Sequence, residues 1–168
     1  MTTLPDLTPE QLAEARARTP KVVRTHLSLF VSDPEALAAW YVDVLGMKIS
    51  ARGPAWVFLS FGRKHHDIAL IQAPEGAEHG QLGLQHYGIE VDGTLQDLAR
   101  LHAMLLAHGV EIVKVTDHKV GIGVYFTDPD GNRLEFFCET VTDDAEGRAI
   151  FEEHGAPSEP TVLDPLFT

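Results

Sequence analysis

The sequence predicts an α+β fold in which two βαβββ modules form one open, cup-shaped mixed β-sheet. Twice along the chain, a strand-like stretch is followed by an amphipathic helix and three further strand-like stretches. The two halves can be laid on each other with His26 over His86 and Gly46 over Gly109, which is an internal repeat. The length of 168 residues, 44% of them apolar, suits two small modules that share one core.

Four segments follow from these elements. We expect an N-terminal helical arm over residues 1–20, module one over 21–73, module two over 82–139, and a C-terminal tail over 140–168, the two modules together forming one domain over 21–139. The arm is predicted to be helical from Thr8, because Pro9 suits the first helical position, and to close at Pro20.

Module one is predicted from its turn and cap residues. A strand over 22–31 leads into a helix that Ser32 and Asp33 open and that Gly46 ends. Three strands follow, over 47–51, 55–61 and 65–72.

Module two repeats this order at greater length. We predict a strand over 84–91, a helix over 94–108, and strands over 110–115, 121–127 and 132–139. Asp128 to Gly131 reads as a type I turn, and Gly109 caps the helix. His102 and His108 lie on that helix without sharing a face, so we expect both to be solvated.

The tail begins with an acidic stretch that reads as a helix over 143–154 and ends in a Pro-rich segment. We expect this segment to wrap either the surface of its own chain or a partner subunit.

Charge and composition disfavour several classes of partner. The net charge is −12, and the longest basic cluster is Arg63–Lys64, so we expect no nucleic acid and no anionic membrane as partner. No apolar run is long enough to span a bilayer, and we expect no signal peptide. Cys138 is the single cysteine, which excludes an intramolecular disulfide and fits a cytoplasmic location.

Glu135 raises a question because it lies inside the apolar run Leu134–Phe137. A buried carboxylate is costly unless it is paired. His26 and His86 occupy equivalent first strands and can both face the cup, so two imidazoles and one carboxylate converge, a set that suits Fe(II) and leaves coordination positions open. The alternative is a salt bridge from Glu135 to Arg133 or Arg52.

Module one lacks the fourth, symmetric ligand, because Ile68 falls over Glu135 when the halves are aligned. If Ile68 points into the cup, strand alternation turns His66 inward and His65 outward.

The paired modules, AWYVDVLGMKI after the first strand, and DPDGNRLEFF near the end resemble the vicinal-oxygen-chelate superfamily, which includes glyoxalase I, drug-resistance proteins and extradiol dioxygenases. The resemblance covers about residues 21–139 and implies a metal held by His26, His86 and Glu135. Fe(II) is the metal it favours, with Mn(II) as the alternative. Single-pair members commonly associate, so the resemblance also implies a homo-oligomer, a dimer or larger.

The stretch KHHDIAL around His66 and the segment from His118 to Tyr125 resemble type I extradiol catechol dioxygenases in particular. The resemblance implies that His66 is the catalytic acid/base and that His118 and Tyr125 lie beside the substrate oxygens. The implied reaction is Fe(II)-dependent cleavage of a catechol ring next to its diol, with a small aromatic diol and O2 as substrates.

Three other functions stay open on the same scaffold. A glyoxalase-like isomerase or epimerase would place a fourth ligand where Ile68 stands. A thiol transferase of the fosfomycin-resistance type would need cationic groups around a phosphonate, which the charge of −12 disfavours. A metal-free drug-binding protein would not need His26, His86 and Glu135 together.

Overall fold

A computed structural model describes residues 8–10, 26–78, 84–155 and 157–167, apart from the side chain of residue 144. The elements are, in chain order, β1 (Leu27–Val31), α1 (Pro34–Leu45), β2 (Lys48–Gly53), β3 (Trp56–Ser60), β4 (Ile68–Gln72), β5 (Tyr87–Glu90), α2 (Leu95–Ala107), β6 (Ile112–Asp117), β7 (Gly121–Thr127), β8 (Arg133–Glu139), α3 (Asp144–His154) and β9 (Glu159–Pro160).

The strands form two mixed sheets, one for each predicted module. The order is β1-β4-β3-β2 in the first sheet and β5-β8-β7-β6-β9 in the second. In both sheets the first strand runs parallel to the last strand of its module, and the remaining pairs are antiparallel. The predicted α+β fold of two βαβββ modules is therefore confirmed, with β9 as an added edge strand.

Both long helices begin and end at the residues that the sequence indicated. The Asp33 side chain accepts hydrogen bonds from the backbone N–H groups of Glu35 at 3.0 Å and Ala36 at 3.1 Å. Gly46 ends α1 with φ of +67°, a conformation in which glycine is least strained. Asp97 accepts from the N–H of Thr94 at 2.8 Å and so caps α2. No helix among the described residues has the length and apolar character needed to cross a membrane.

A buried hydroxyl network joins the modules beside the common core. The Tyr41 hydroxyl on α1 is hydrogen-bonded to the Tyr87 hydroxyl on β5 and donates to Oδ2 of Asp128 at 3.0 Å. Oδ1 of Asp128 accepts from the backbone N–H groups of Asp130 at 3.0 Å and Asn132 at 2.8 Å, which closes the predicted turn. The network thus couples the helix of module one to the turn that precedes β8.

Strand register corrects the predicted equivalence between the halves. Leu27 pairs with Ile68, and Tyr87 pairs with Leu134. With His26 laid over His86, Ile68 therefore corresponds to Leu134, and Ala69 corresponds to Glu135. Ile68 and Leu134 are both buried in the core because alternation puts them on the core side of their sheets. The symmetric ligand is still absent, since Ala69 carries no donor atom.

One further expectation is wrong. His102 is not solvated: it is 8% exposed, and its Nδ1 lies 2.9 Å from the carbonyl oxygen of Leu163 in the tail. The tail lies on its own chain, where α3 confirms the predicted helix and β9 pairs with β6. In the arm, Pro9 and Glu10 are helical and the rest of the predicted helix lies outside the described residues, as do positions 22–25 of the first predicted strand.

Candidate active site

Glu135 lies in the middle of β8 and is only 7% exposed. A glycine on the neighbouring strand β7 leaves room for its carboxylate. A Cβ at residue 123 would collide with Oε1. The space left by Gly123 therefore explains how a carboxylate fits inside an apolar strand; its polar partners are described next.

His86 supplies the first partner of Glu135. Its Nε2 lies 3.2 Å from Oε2 of the carboxylate, and its Nδ1 is hydrogen-bonded to Oε1 of Gln85. Because an amide oxygen only accepts, Nδ1 donates to Gln85, and Nε2 is the nitrogen that faces the carboxylate. An imidazole nitrogen and a carboxylate oxygen are both common metal ligands, so this pair of side chains fits a metal ion.

His118, directly after β6, approaches the same carboxylate. Its Nδ1 lies 2.8 Å from the carbonyl oxygen of Pro157, so this nitrogen donates. Its Nε2 lies 3.1 Å from the Tyr125 hydroxyl and 3.5 Å from Oε1 of Glu135. The hydrogen bond to the Pro157 carbonyl therefore orients the imidazole so that Nε2 is the nitrogen that points into the site.

Tyr125 is paired with Glu135 across β7 and β8. Burial raises the pKa of Tyr125 above its usual value, and the neighbouring Glu135 carboxylate raises it further. The edge of the His86 ring lies against the Tyr125 ring, with the centroids 5.2 Å apart, and Nζ of Lys114 lies 4.4 Å from the Tyr125 centroid. Tyr125 thus keeps its proton and offers an O–H donor.

His86, His118 and Tyr125 line a cavity of about 380 Å³. The cavity-lining residues are Gln85, His86, Lys114, His118, Tyr125, Phe151, Pro157 and Ser158. Sequence reasoning missed Gln85, Lys114 and the three residues of the C-terminal segment. Lys114 had a usable signal, since it occupies the position opposite Tyr125 in the β6–β7 pairing. The Pro157 carbonyl had none, because any residue offers the same backbone acceptor.

His26 and His66 lie together on the first sheet. Their ring centroids are 4.8 Å apart, and the His66 ring stacks on Phe58 at 4.5 Å. His65 and His66 precede β4 instead of lying in it, so the alternation argument does not apply, and their Nδ1 atoms are 2.6 Å apart. His26 is exposed and borders a second, larger cavity of about 1360 Å³ that Tyr87 and Gly88 also line.

The structure therefore gathers His86, Glu135, His118 and Tyr125 in one place and His26 with His66 in another. Within the described part of the chain, no three His, Cys, Asp or Glu side chains lie close enough together to hold a metal ion. Two of the three predicted ligands, His86 and Glu135, are in contact. Arg52, one alternative partner of Glu135, instead pairs with Glu35 at 3.4 Å.

Comparisons with known proteins identify the family and the fold. The sequence model of the Glyoxalase/Bleomycin resistance protein/Dioxygenase superfamily matches residues 24–136. The chain is 31% identical over 153 residues to biphenyl-2,3-diol 1,2-dioxygenase 2 of Rhodococcus globerulus, which covers 88% of this chain and 79% of that protein. It is 29% identical over 110 residues to glutathione transferase FosA of Serratia marcescens, which covers 66% of this chain and 76% of that protein.

A solved glyoxalase/bleomycin resistance protein/dioxygenase from Alicyclobacillus acidocaldarius shares the fold, with a TM-score of 0.57 and 21% identity. The match covers 76% of this chain and 97% of that one.

Proposed function

The chain belongs to the glyoxalase/bleomycin resistance protein/dioxygenase superfamily, and on that premise we propose that it is an Fe(II)-dependent extradiol dioxygenase acting on a catechol-type diol and O2. One observation carries the proposal. Oε2 of the buried Glu135 carboxylate lies 3.2 Å from Nε2 of His86, and the His118–Tyr125 pair lies beside it. The relative named as a biphenyl-2,3-diol dioxygenase supports the same reaction class.

In this proposal His26, His86 and Glu135 hold the metal, with Fe(II) favoured and Mn(II) as the alternative. His86 and Glu135 are already in contact, whereas His26 borders the larger cavity. Completing the set requires His26 to approach the pair, from the same chain or from a second copy in the homo-oligomer that we expect. When bound, the metal lowers the pKa of the diol hydroxyl groups and holds the diol next to O2.

The remaining side chains orient the diol and move its protons. The Tyr125 O–H, kept protonated by burial and by Glu135, donates a hydrogen bond to a substrate oxygen. His118, held by the Pro157 carbonyl at Nδ1, directs Nε2 toward the same place. His66 lies beside His26, with the ring centroids 4.8 Å apart, so it reaches the diol only when His26 approaches the pair. There His66 would take a proton from the diol and return it later, as a general acid–base imidazole does.

A thiol transferase is the second candidate, and two observations favour it. The chain resembles glutathione transferase FosA at 29% identity, and the cavity contains the ammonium group of Lys114, a cation that an anionic substrate needs. Nζ of Lys114 is engaged, however, with the Tyr125 ring and with Oγ of Ser158 at 3.4 Å. The dioxygenase proposal gives a role to Tyr125, to His86 and His118, and to Glu135. We prefer it for that reason.

Oxygen uptake by the full chain, loaded anaerobically with Fe(II), tests the proposal. We expect one O2 consumed per diol and a yellow ring-opened product with catechol, 3-methylcatechol or 2,3-dihydroxybiphenyl. Iron bound without uptake would overturn the dioxygenase assignment, and addition of glutathione to fosfomycin in a parallel assay would establish the second candidate. Absence of bound metal would overturn the ligand assignment.

The same assay isolates the proposed proton-transfer residue. His66→Ala should retain iron and lose turnover by about 10²- to 10⁴-fold, the range of general acid–base catalysis. His108→Ala is the matched control, because His108 is an exposed histidine at the end of α2, paired with Asp43. Unaltered turnover in His66→Ala would remove His66 from the mechanism.

A further inference from the structure

The cavity has two chemically different sides. Module two contributes polar side chains to it: Gln85, His86, Lys114, His118 and Tyr125. Its two apolar lining residues, Phe151 and Pro157, both belong to the segment that follows module two. We propose that Phe151 is a specificity-determining residue that receives an apolar ring substituent of the diol. This inference rests on the proposed function and names the part of the chain that selects among diols.

Hydrogen bonds hold the C-terminal segment against the site. β9 pairs with β6, with Pro160 opposite Thr116, and the N–H of Thr161 donates to the carbonyl of Val115 at 3.1 Å. Nδ1 of His118 donates to the Pro157 carbonyl at 2.8 Å. The segment therefore forms a fixed wall of the cavity and positions a group of the candidate active site at the same time.

More distant contacts keep the wall in place. The buried His102 is hydrogen-bonded to the carbonyl of Leu163, and the N–H of Leu166 donates to the carbonyl of Ala99 at 3.0 Å. On the other side, the Asp143 side chain caps α3 by accepting from the N–H groups of Ala145 and Glu146, both at 2.9 Å. Phe151 is thus carried by a capped helix between anchored ends.

Phe151 itself is exposed enough to meet a ligand. It is 43% exposed, although aromatic side chains usually bury most of their surface, and it borders the cavity. The diol oxygens belong at the polar side, where Tyr125 offers its O–H and Glu135 meets His86. A diol oriented in this way directs an apolar substituent toward Phe151 and Pro157, where its burial is favourable.

The test compares two substrates on the iron-loaded full chain. In Phe151→Ala we expect kcat/KM for 2,3-dihydroxybiphenyl to fall about tenfold through a higher KM, with catechol changing less than about twofold, since an apolar contact contributes roughly tenfold or more to discrimination. Phe151→Leu should restore most of the loss, because it restores apolar surface. Phe167→Ala is the matched control: Phe167 is a tail aromatic, 69% exposed, that borders a separate groove on α2.

A binding measurement separates this inference from the proposed function. Anaerobic calorimetry with 2,3-dihydroxybiphenyl and with catechol needs no turnover. A tenfold weaker affinity of Phe151→Ala for the biphenyl diol alone would support the inference even if no diol were cleaved. Equal losses for both diols, unchanged selectivity, or no binding of either diol to the unaltered chain would overturn it.

Discussion

The two modules share a backbone plan, and three equivalent positions on one side of the sheets explain why only one module carries the candidate site. Register places Ala69, Phe58 and Trp56 of module one where module two has Glu135, Tyr125 and Gly123. Residues on the other side of each sheet match in kind: Val57 and Leu59 correspond to Val124 and Phe126, and all four are fully buried. The core side of the repeat is therefore kept apolar, and the opposite side is where the modules differ.

The difference shows how little is needed to convert one sheet face into a site. In module one, the rings of Trp56 and Phe58 lie 4.4 Å apart, and Phe58 is paired with Ala69 across β3 and β4. In module two, glycine at 123 leaves that space for the Glu135 carboxylate, and the phenolic hydroxyl of Tyr125 adds a donor. Gly123 matters as much as Glu135 in this comparison, because the carboxylate needs the room that glycine leaves.

The largest expected effect comes from removing the charge that distinguishes module two. Glu135→Gln keeps the shape of the side chain and should weaken iron binding by more than about 100-fold, beyond what loss of a supporting hydrogen bond typically costs, with turnover lost. Metal analysis after gel filtration, together with oxygen uptake, measures both. Glu139→Gln is the control, since Glu139 lies on the same strand and is exposed. Full iron occupancy in Glu135→Gln would remove Glu135 from the ligand set.

A smaller effect is expected when the space around the carboxylate is filled. In Gly123→Ala the added Cβ would collide with Oε1 of Glu135, so the carboxylate must move. We expect about 10- to 100-fold weaker iron binding, measured by competition with a chromogenic chelator, and an intact fold by circular dichroism.

Gly147→Ala controls for the change of residue type, because its Cβ would meet only Cγ1 of Val120 at 3.9 Å. Equal iron affinities in the two variants would show that iron binding by Glu135 does not need the space at Gly123. The exchange of Trp56 for Gly123 between the modules would then not explain the site.

Much of the fold was predictable because it depends on local chemistry. The Asp33 cap, the Gly46 terminus and the turn at Asp128 each follow from what one or two residue types do to a backbone. The predicted equivalence of Ile68 with Glu135 was wrong by one residue. Aligning either Ile68 or Ala69 with Glu135 places an apolar strand over an apolar strand, so the sequence pattern does not separate the two alignments. Only hydrogen-bond register distinguishes a shift of one residue.

The candidate site was predictable where a charged residue lies inside an apolar stretch of sequence. Glu135 in an apolar strand marked the position, the internal repeat indicated His86, and the family resemblance indicated Tyr125. The contribution of Pro157 had no signal, since its backbone carbonyl acts on His118 across a long sequence separation. The distance between His26 and the Glu135 pair depends on how the modules pack, which repeat symmetry does not determine.

The smallest expected effect concerns the turns that lead into the last strand of each module. Before β4, Asp67 is half-buried and its Oδ2 accepts from the N–H of Phe61 at 2.9 Å. Before β8, Asp128 is only 5% exposed, and burial raises the pKa of its carboxyl above the usual value, although the hydrogen bonds from Asn132 and Tyr41 lower it. The two turns thus carry carboxylates in different environments.

Asp128→Asn tests this contrast through the pH dependence of stability. A carboxyl whose pKa is higher in the folded chain stabilises the fold below its unfolded pKa of about 3.9, and this contribution is lost as the pH rises through the folded value. The free energy of unfolding of the unaltered chain, minus that of Asp128→Asn, should therefore grow as the pH falls from about 7 to about 4. The slope cannot exceed about 1.4 kcal/mol per pH unit, because one proton is involved.

Urea unfolding of both proteins with a chelator present measures this difference without a contribution from metal binding. Subtracting the variant cancels the carboxyl groups that do not interact with Asp128, so the slope reports Asp128 and its coupling to the nearby Asp130. A difference that stays level or shrinks toward low pH would mean that the hydrogen bonds of the turn outweigh burial in setting the pKa of Asp128. The deeper burial of Asp128 would then have no effect on how stability depends on pH.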